Sequence, residues 1–178
     1  MMQNTSFIFR LATIVTSLGL AGCQKEVLAP TPVTPNQSTL TEHLTLGNPS
    51  GATTDPAQPT NYLLSKHQYA LSYHRDRGIP NWVSWHLSTD WRGSAARQDD
   101  FRADATLPAG WYQVQATSYT GSGFDRGHNC PSADRTSTVA DNSATFLMTN
   151  MMPQAPRNNQ QTWGQPGRLL PHLPGYRQ

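Results

Sequence analysis

The sequence predicts an α+β domain, strands and helices together, on three observations. Asn81-Trp82-Val83-Ser84-Trp85-His86-Leu87 alternates with period 2 and is rich in strand-favouring types, which makes it the best strand in the chain. Ala144-Thr145-Phe146-Leu147-Met148-Thr149 is an apolar run bounded by Asn150 and Pro153, and it reads as a buried strand or a short helix. The segment from Asn158 to Trp163 contains no breaker and opens a helix.

In chain order, residues 1–22 read as an export signal. Arg10 precedes an apolar run from Leu11 to Ala21 that is too short to span a bilayer and ends in small residues. Leu20-Ala21-Gly22-Cys23 resembles a bacterial lipobox, which makes Cys23 the expected lipidation site. The protein is then expected to be exported and anchored by lipid at the cell envelope without spanning the membrane. Gln24 in the next position favours the outer membrane or a periplasm-facing location, by resemblance. Residues 23–61 are rich in Pro, Thr, Ser, Asn and Gln and read as a flexible tether. The domain itself is expected from residue 62 to residue 164.

Within it, RGSAARQDDFRADATLPAG forms a polar loop, followed by a strand-like Trp111-Tyr112-Gln113-Val114-Gln115 and a Gly/Ser turn into Asp125. Trp82, Trp85 and Trp163 are expected in the core, as large aromatic residues generally are. Residues 165–178 have no helical periodicity, and GQPGRLLPHLPGYRQ holds three prolines and three glycines. The chain has two cysteines; with Cys23 given to lipid only Cys130 remains, so neither an internal disulfide nor a CxxC metal framework is available. A net charge of +2 argues neither for nor against a nucleic-acid partner.

The chemistry gathers in GSGFDRGHNCPSADRT, residues 121–136, where two Asp-Arg pairs flank a histidine. An unperturbed imidazole titrates near neutrality and can take a proton from water, so His128 is the candidate base. Gly127 removes bulk beside it, which would let a substrate approach the backbone. A lone histidine is more often structural; the amide-rich Asn150-Met151-Met152-Pro153-Gln154 and Asn158-Asn159-Gln160-Gln161-Thr162-Trp163 downstream argue for more.

Together NWVSWHL, RQDDFRAD, DRGHNCPSADRT, FLMTNMMPQ and NNQQTW resemble, in order and spacing, the DNA/RNA non-specific endonucleases. These are the Serratia-type and NucA-like enzymes of the ββα-metal (His-Me finger) superfamily, and the resemblance runs from about Leu63 to Gly164. It implies a ββα-metal nuclease fold, a mixed or antiparallel sheet with helices, and hydrolysis of phosphodiester bonds in both DNA and RNA. His128 of the DRGH motif would be the general base, and Asn159 the direct ligand of Mg²⁺, or alternatively Mn²⁺. Arg97 would stabilise the transition state, while Asp125, Arg126 and Gly127 would support the motif or contact phosphate. The implied ligand set suits the metal, since Mg²⁺ takes oxygen donors and keeps several waters. An amide oxygen adds no charge and leaves the ion a strong Lewis acid. With no recognition helix in view, the backbone and not the base edges would be read.

The sequence also departs from this family. The family carries a glutamate four residues after the tryptophan, where this chain has Gly167, and it continues beyond the point where this chain stops. One inserted base near codon 165 would account for both, because a permitted back-translation of QPGRLLPHLPGYRQ read one base later gives NLEDYCRTF. The expectation is a domain whose C-terminal part is missing and whose activity is impaired. The alternative, from a different class, is a non-catalytic surface lipoprotein, a remnant that at most binds nucleic acid. A cysteine in the restored frame could pair with Cys130 in an oxidising compartment.

Overall fold

The computed structural model describes residues 42–163. The export signal, Cys23, the tether up to residue 41, and Gly167 with the tail around it lie outside the described residues.

Three antiparallel strands form the first sheet, in the order β1 (Tyr62–Ser65), β2 (Ala70–His74), β3 (Ile79–Ser84). The central strand is buried on both faces: Ala70, Leu71, Ser72 and Tyr73 are all inaccessible to solvent. Leu64, Tyr69, Leu71, Tyr73, Leu107 and Cys130 make one core cluster around it. The turn between β2 and β3 closes on the Gly78 N–H, which donates to the His74 carbonyl at 2.9 Å. Gly78 takes φ 67°, a conformation that L side chains rarely adopt.

The strand expected at residues 81–87 is present but displaced, spanning Ile79–Ser84. It stops there because the next residues are drawn off the sheet by other partners. Trp85 Nε1 donates to Asp134 Oδ2 at 2.9 Å, and the His86 N–H donates to His43 Nδ1 at 3.1 Å. Trp82 and Trp85 are half-buried and Trp163 is 41 % exposed, while the buried tryptophan is Trp91. Trp82 spends its N–H on Ser50 and Trp163 on the His128 carbonyl, partners at the periphery, whereas Trp85 packs against the core cluster around β2.

The boundary between tether and domain moves earlier than residue 61. His43 is buried, its Nε2 bonded to the His67 carbonyl at 2.8 Å. The side chain of Asn48 bonds both the N–H and the C=O of Ala52, and Leu63 N–H reaches the Thr53 carbonyl. The short polar residues that composition assigns to a tether here make local turns, as Asn, Ser and Asp side chains do when a sheet edge lies within reach.

The expected strand at 111–115 is not one. The segment runs through turns, with Val114 buried in a second core cluster beside Met148 and Met151. The apolar run at 144–149 straddles two elements: helix α1 (Val139–Ala144), capped by Thr138 accepting from the Asp141 N–H, and a 3-10 turn, Met148–Asn150. Strand β4 (Asp125–His128) then pairs antiparallel with β5 (Met151–Gln154), His128 opposite Met151. The helix expected at Asn158 is present as a π-helical segment, Asn158–Trp163.

Candidate active site

The second sheet and the helical segment after it carry the site. β4 delivers Asp125, Arg126 and His128, β5 backs it, and Asn158–Trp163 returns over its end, where Trp163 Nε1 donates to the His128 carbonyl at 2.8 Å. These three elements form a ββα unit at one edge of a cleft of about 700 Å³, which Arg97, Asp125, Arg126, His128 and Asn159 all line. The structure thus brings together the five expected side chains, drawn from three separate stretches of sequence.

His128 is buried, with edge-on contacts to Phe101 and Phe146 at centroid distances of 5.6 and 4.8 Å. Its Nε2 is enclosed yet has no hydrogen-bond partner. Burial pushes its pKa down to about 3, helped by the neighbouring positive charges of Arg97 and Arg126 and opposed by Asp99. The imidazole is therefore neutral at physiological pH.

Arg97 is held from two sides: Nε donates to Asp99 Oδ1 at 2.6 Å and Nη1 to Ser132 Oγ at 2.8 Å. Its guanidinium lies 4.8 Å from the Phe146 ring centroid. Asp99 adopts φ 51°, a left-handed conformation that costs a non-glycine residue energy and turns its carboxylate toward the arginine. Arg126 stacks over Phe101 at 3.8 Å and donates to the Ala116 carbonyl at 3.2 Å.

Asp125 Oδ2 accepts from Asn159 Nδ2 at 3.0 Å and from Gln160 Nε2 at 2.9 Å. These two amide bonds hold its carboxyl below the usual carboxylate range. An amide facing a carboxylate must present its NH₂ group, so the carbonyl oxygen of Asn159 is turned away from Asp125 and left available. That is a hard oxygen donor at the cleft wall, the kind a magnesium-like ion takes. Among the described residues no three His, Cys, Asp or Glu side chains gather to hold a metal.

Gly127 has a different reason for being glycine than the one its sequence position implies. A Cβ there would fall inside the side chain of Gln154 on β5. The space is taken by the protein itself, so the residue permits close packing of β4 on β5 and not access for substrate.

The second Asp-Arg pair of the loop is structural. Arg135 is wholly buried and donates to the backbone carbonyls of Gln68, Asp134 and His86, while stacking over Trp91 at 4.3 Å. Asp134 is buried and accepts from Trp85; burial raises its pKa against the effects of Trp85 and Arg135. Cys130 is buried, and its thiol is pushed up to about 12 by burial.

Two asparagines to which the sequence assigns no role, Asn150 and Asn142, position the elements around the cleft. The Asn150 side chain accepts from the Cys130 N–H and donates to the carbonyls of Cys130 and Thr145, which ties the residues after His128 to the end of α1. Asn142 donates to the carbonyls of Ser132 and Arg135 and accepts from the Gln98 N–H, pinning the Arg97 loop to the loop that carries Ser132. Their only signal in the sequence is an amide next to an apolar run, which many surface turns share.

Comparison with known proteins shows the family to which the chain belongs. The family model described as DNA/RNA non-specific endonuclease matches residues 46–165. A protein named Nuclease from Nostoc sp. (strain PCC 7120) is 56 % identical over 145 residues, 82 % of this chain and 53 % of its own length. Human mitochondrial endonuclease G is 36 % identical over 104 residues, 57 % of this chain and 34 % of its own length. A chain in the crystal structure of the EndoG/EndoGI complex superposes with a TM-score of 0.63 at 26 % identity, covering 79 % of this chain and 54 % of that one. The chain therefore spans about half or less of the length of these relatives.

Proposed function

Because the chain belongs to the DNA/RNA non-specific endonuclease family, we propose that its cleft hydrolyses phosphodiester bonds in DNA and RNA with a divalent metal ion. The observation that carries this reading is a neutral His128 lining one cleft together with Arg97 and Asn159.

His128 is the general base: neutral and desolvated, it takes the proton of the attacking water without first losing one of its own. Arg97, fixed by Asp99 and Ser132, faces the charge that develops on the phosphoryl oxygens, so that its guanidinium needs no rearrangement during the reaction. Arg126 supports a neighbouring phosphate. Asn159, its amide orientated by Asp125, would hold the metal, Mg²⁺ or Mn²⁺, with water completing the shell. When bound, that ion supplies Lewis-acid stabilisation of the leaving oxygen. Every contact in this scheme goes to phosphate, which is why one site serves both sugars.

Export and lipid anchoring at Cys23 are part of the same proposal, supported by the Leu20-Ala21-Gly22-Cys23 sequence. Mass spectrometry of envelope protein reads it directly, with an acylated N-terminal cysteine as the expected form and an unmodified Cys23 as the contrary one. For the nuclease itself, purified chain is incubated with plasmid DNA and with RNA in Mg²⁺. Both should be cut, EDTA should stop the cutting, and a folded protein that leaves both intact would overturn the reading.

A further inference from the structure

Phe124 is a large apolar side chain left 52 % exposed, and it lines the same cleft as Arg126 and His128. The three stand at alternate positions along β4 and the residue before it, and alternate positions share a strand face. Both Arg126 and His128 pack on Phe101, which confirms that they share one. Strand rise places Phe124 about 13 Å from His128 along that face, four residues at about 3.3 Å each.

The turn that presents the ring is built to hold it. Gly121 and Gly123 take φ 75° and 78°, Ser122 Oγ donates to the Tyr119 carbonyl at 2.6 Å, and the Phe124 N–H donates to Ser122 Oγ at 3.1 Å. A solvent-facing phenyl ring on a braced turn, in line with one guanidinium and the base, suits a ligand that repeats an anionic group and a flat π-face along one chain. We infer that Phe124 is a nucleobase-stacking site, which grips a base of an unpaired strand a few nucleotides from the scissile phosphate. In B-form DNA, which advances about 3.4 Å per nucleotide, 13 Å is about four nucleotides; an extended strand covers it in fewer. Bases inside a duplex are already stacked on both faces, so this contact favours single-stranded or frayed substrate. It tolerates any base, since every base has a π-face.

The inference rests on the nuclease reading for the kind of ligand, and its test is separate because it measures binding and not cleavage. Full-length chain in EDTA is titrated by fluorescence anisotropy with a single-stranded oligonucleotide, an abasic strand of equal length and a duplex, using wild type, Phe124→Ala and Phe124→Trp. Phe124→Ala should weaken the single-stranded oligonucleotide about tenfold, the effect of losing one stacked base, leave the abasic strand unchanged and affect the duplex less. Phe124→Trp should retain tight binding. Equal affinity of wild type and Phe124→Ala for the single strand overturns the inference, as does an equal loss on the abasic strand, or no wild-type preference for bases over abasic sugar. A chain that cuts nucleic acid without this dependence sinks the stacking site alone; one that shows it without cutting sinks the nuclease reading alone.

Discussion

Replacing Asn150 by alanine removes three hydrogen bonds in one step. The side chain serves the Cys130 N–H at 2.9 Å, the Cys130 carbonyl at 2.9 Å and the Thr145 carbonyl at 2.8 Å, all within residues inaccessible to solvent. A buried polar group stranded without a partner costs about 1–3 kcal/mol. Three of them give about 3 kcal/mol at the low end, before any cavity term. Against a total stability of about 5–15 kcal/mol that loss is large, and it falls where β4 passes into the loop behind His128. Asn150→Asp is no remedy, because it keeps the acceptor for Cys130 N–H but turns a carboxylate oxygen toward two carbonyls. Urea unfolding followed by tryptophan fluorescence measures both variants against wild type. Losses of about 3 kcal/mol or more are expected for each, and a loss below about 1 kcal/mol for Asn150→Ala would show that the backbone finds other partners and that the asparagine is not the staple.

The remaining predictions concern the cleft. His128 folds with its pKa lowered to about 3 from its ordinary value of 6.5, so between those values the unfolded chain binds the extra proton. Stability should fall as pH drops below 6.5, by about 1.4 kcal/mol per pH unit at the steepest. Urea midpoints from pH 7 to pH 4 should lose that component in His128→Gln; an unchanged slope contradicts it. Gly127→Ala should cost about 1–3 kcal/mol through overpacking against Gln154, and Gln154→Ala in the same chain should recover part of it; additive losses in a double-mutant cycle would contradict the close packing. Asp125→Ala frees the Asn159 amide, and Mn²⁺ titration followed by electron paramagnetic resonance should show binding weakened about tenfold or more. Equal Mn²⁺ affinity would show that the orientation of Asn159 does not depend on Asp125.

What the sequence makes legible is the set of candidate site residues. His128, Arg97 and Asn159 are far apart in the chain and become a site only through the order and spacing of the motifs around them, and the fold puts them on one cleft. The local geometry is harder to read. Asp125-Arg126 and Asp134-Arg135 look alike in sequence, yet the first faces the cleft and the second is a buried clamp on three carbonyls. Only the tertiary position of Gln68 and His86 separates them. Gly127 looks like room for a substrate and is room for Gln154, because register across β4 and β5 is not visible in either strand alone. The alternating run at 81–87 predicts a strand correctly but not its end, which side chains of Trp85 and His43 decide. Residues 42–61 carry a tether's composition and nonetheless fold, since their polar side chains bond locally against the sheet edge.

The claim on which the rest depends is that the enclosed His128 removes a proton from water at a phosphodiester. It is tested most directly by the rate at which full-length chain cuts plasmid DNA and RNA in Mg²⁺, wild type against His128→Ala, with circular dichroism verifying that both are folded. The account predicts that wild type cuts both substrates and that the variant loses about 10²–10⁴-fold on each, the contribution of one positioned base. A folded His128→Ala that cuts at the wild-type rate, or a folded wild type that cuts neither substrate, would contradict it.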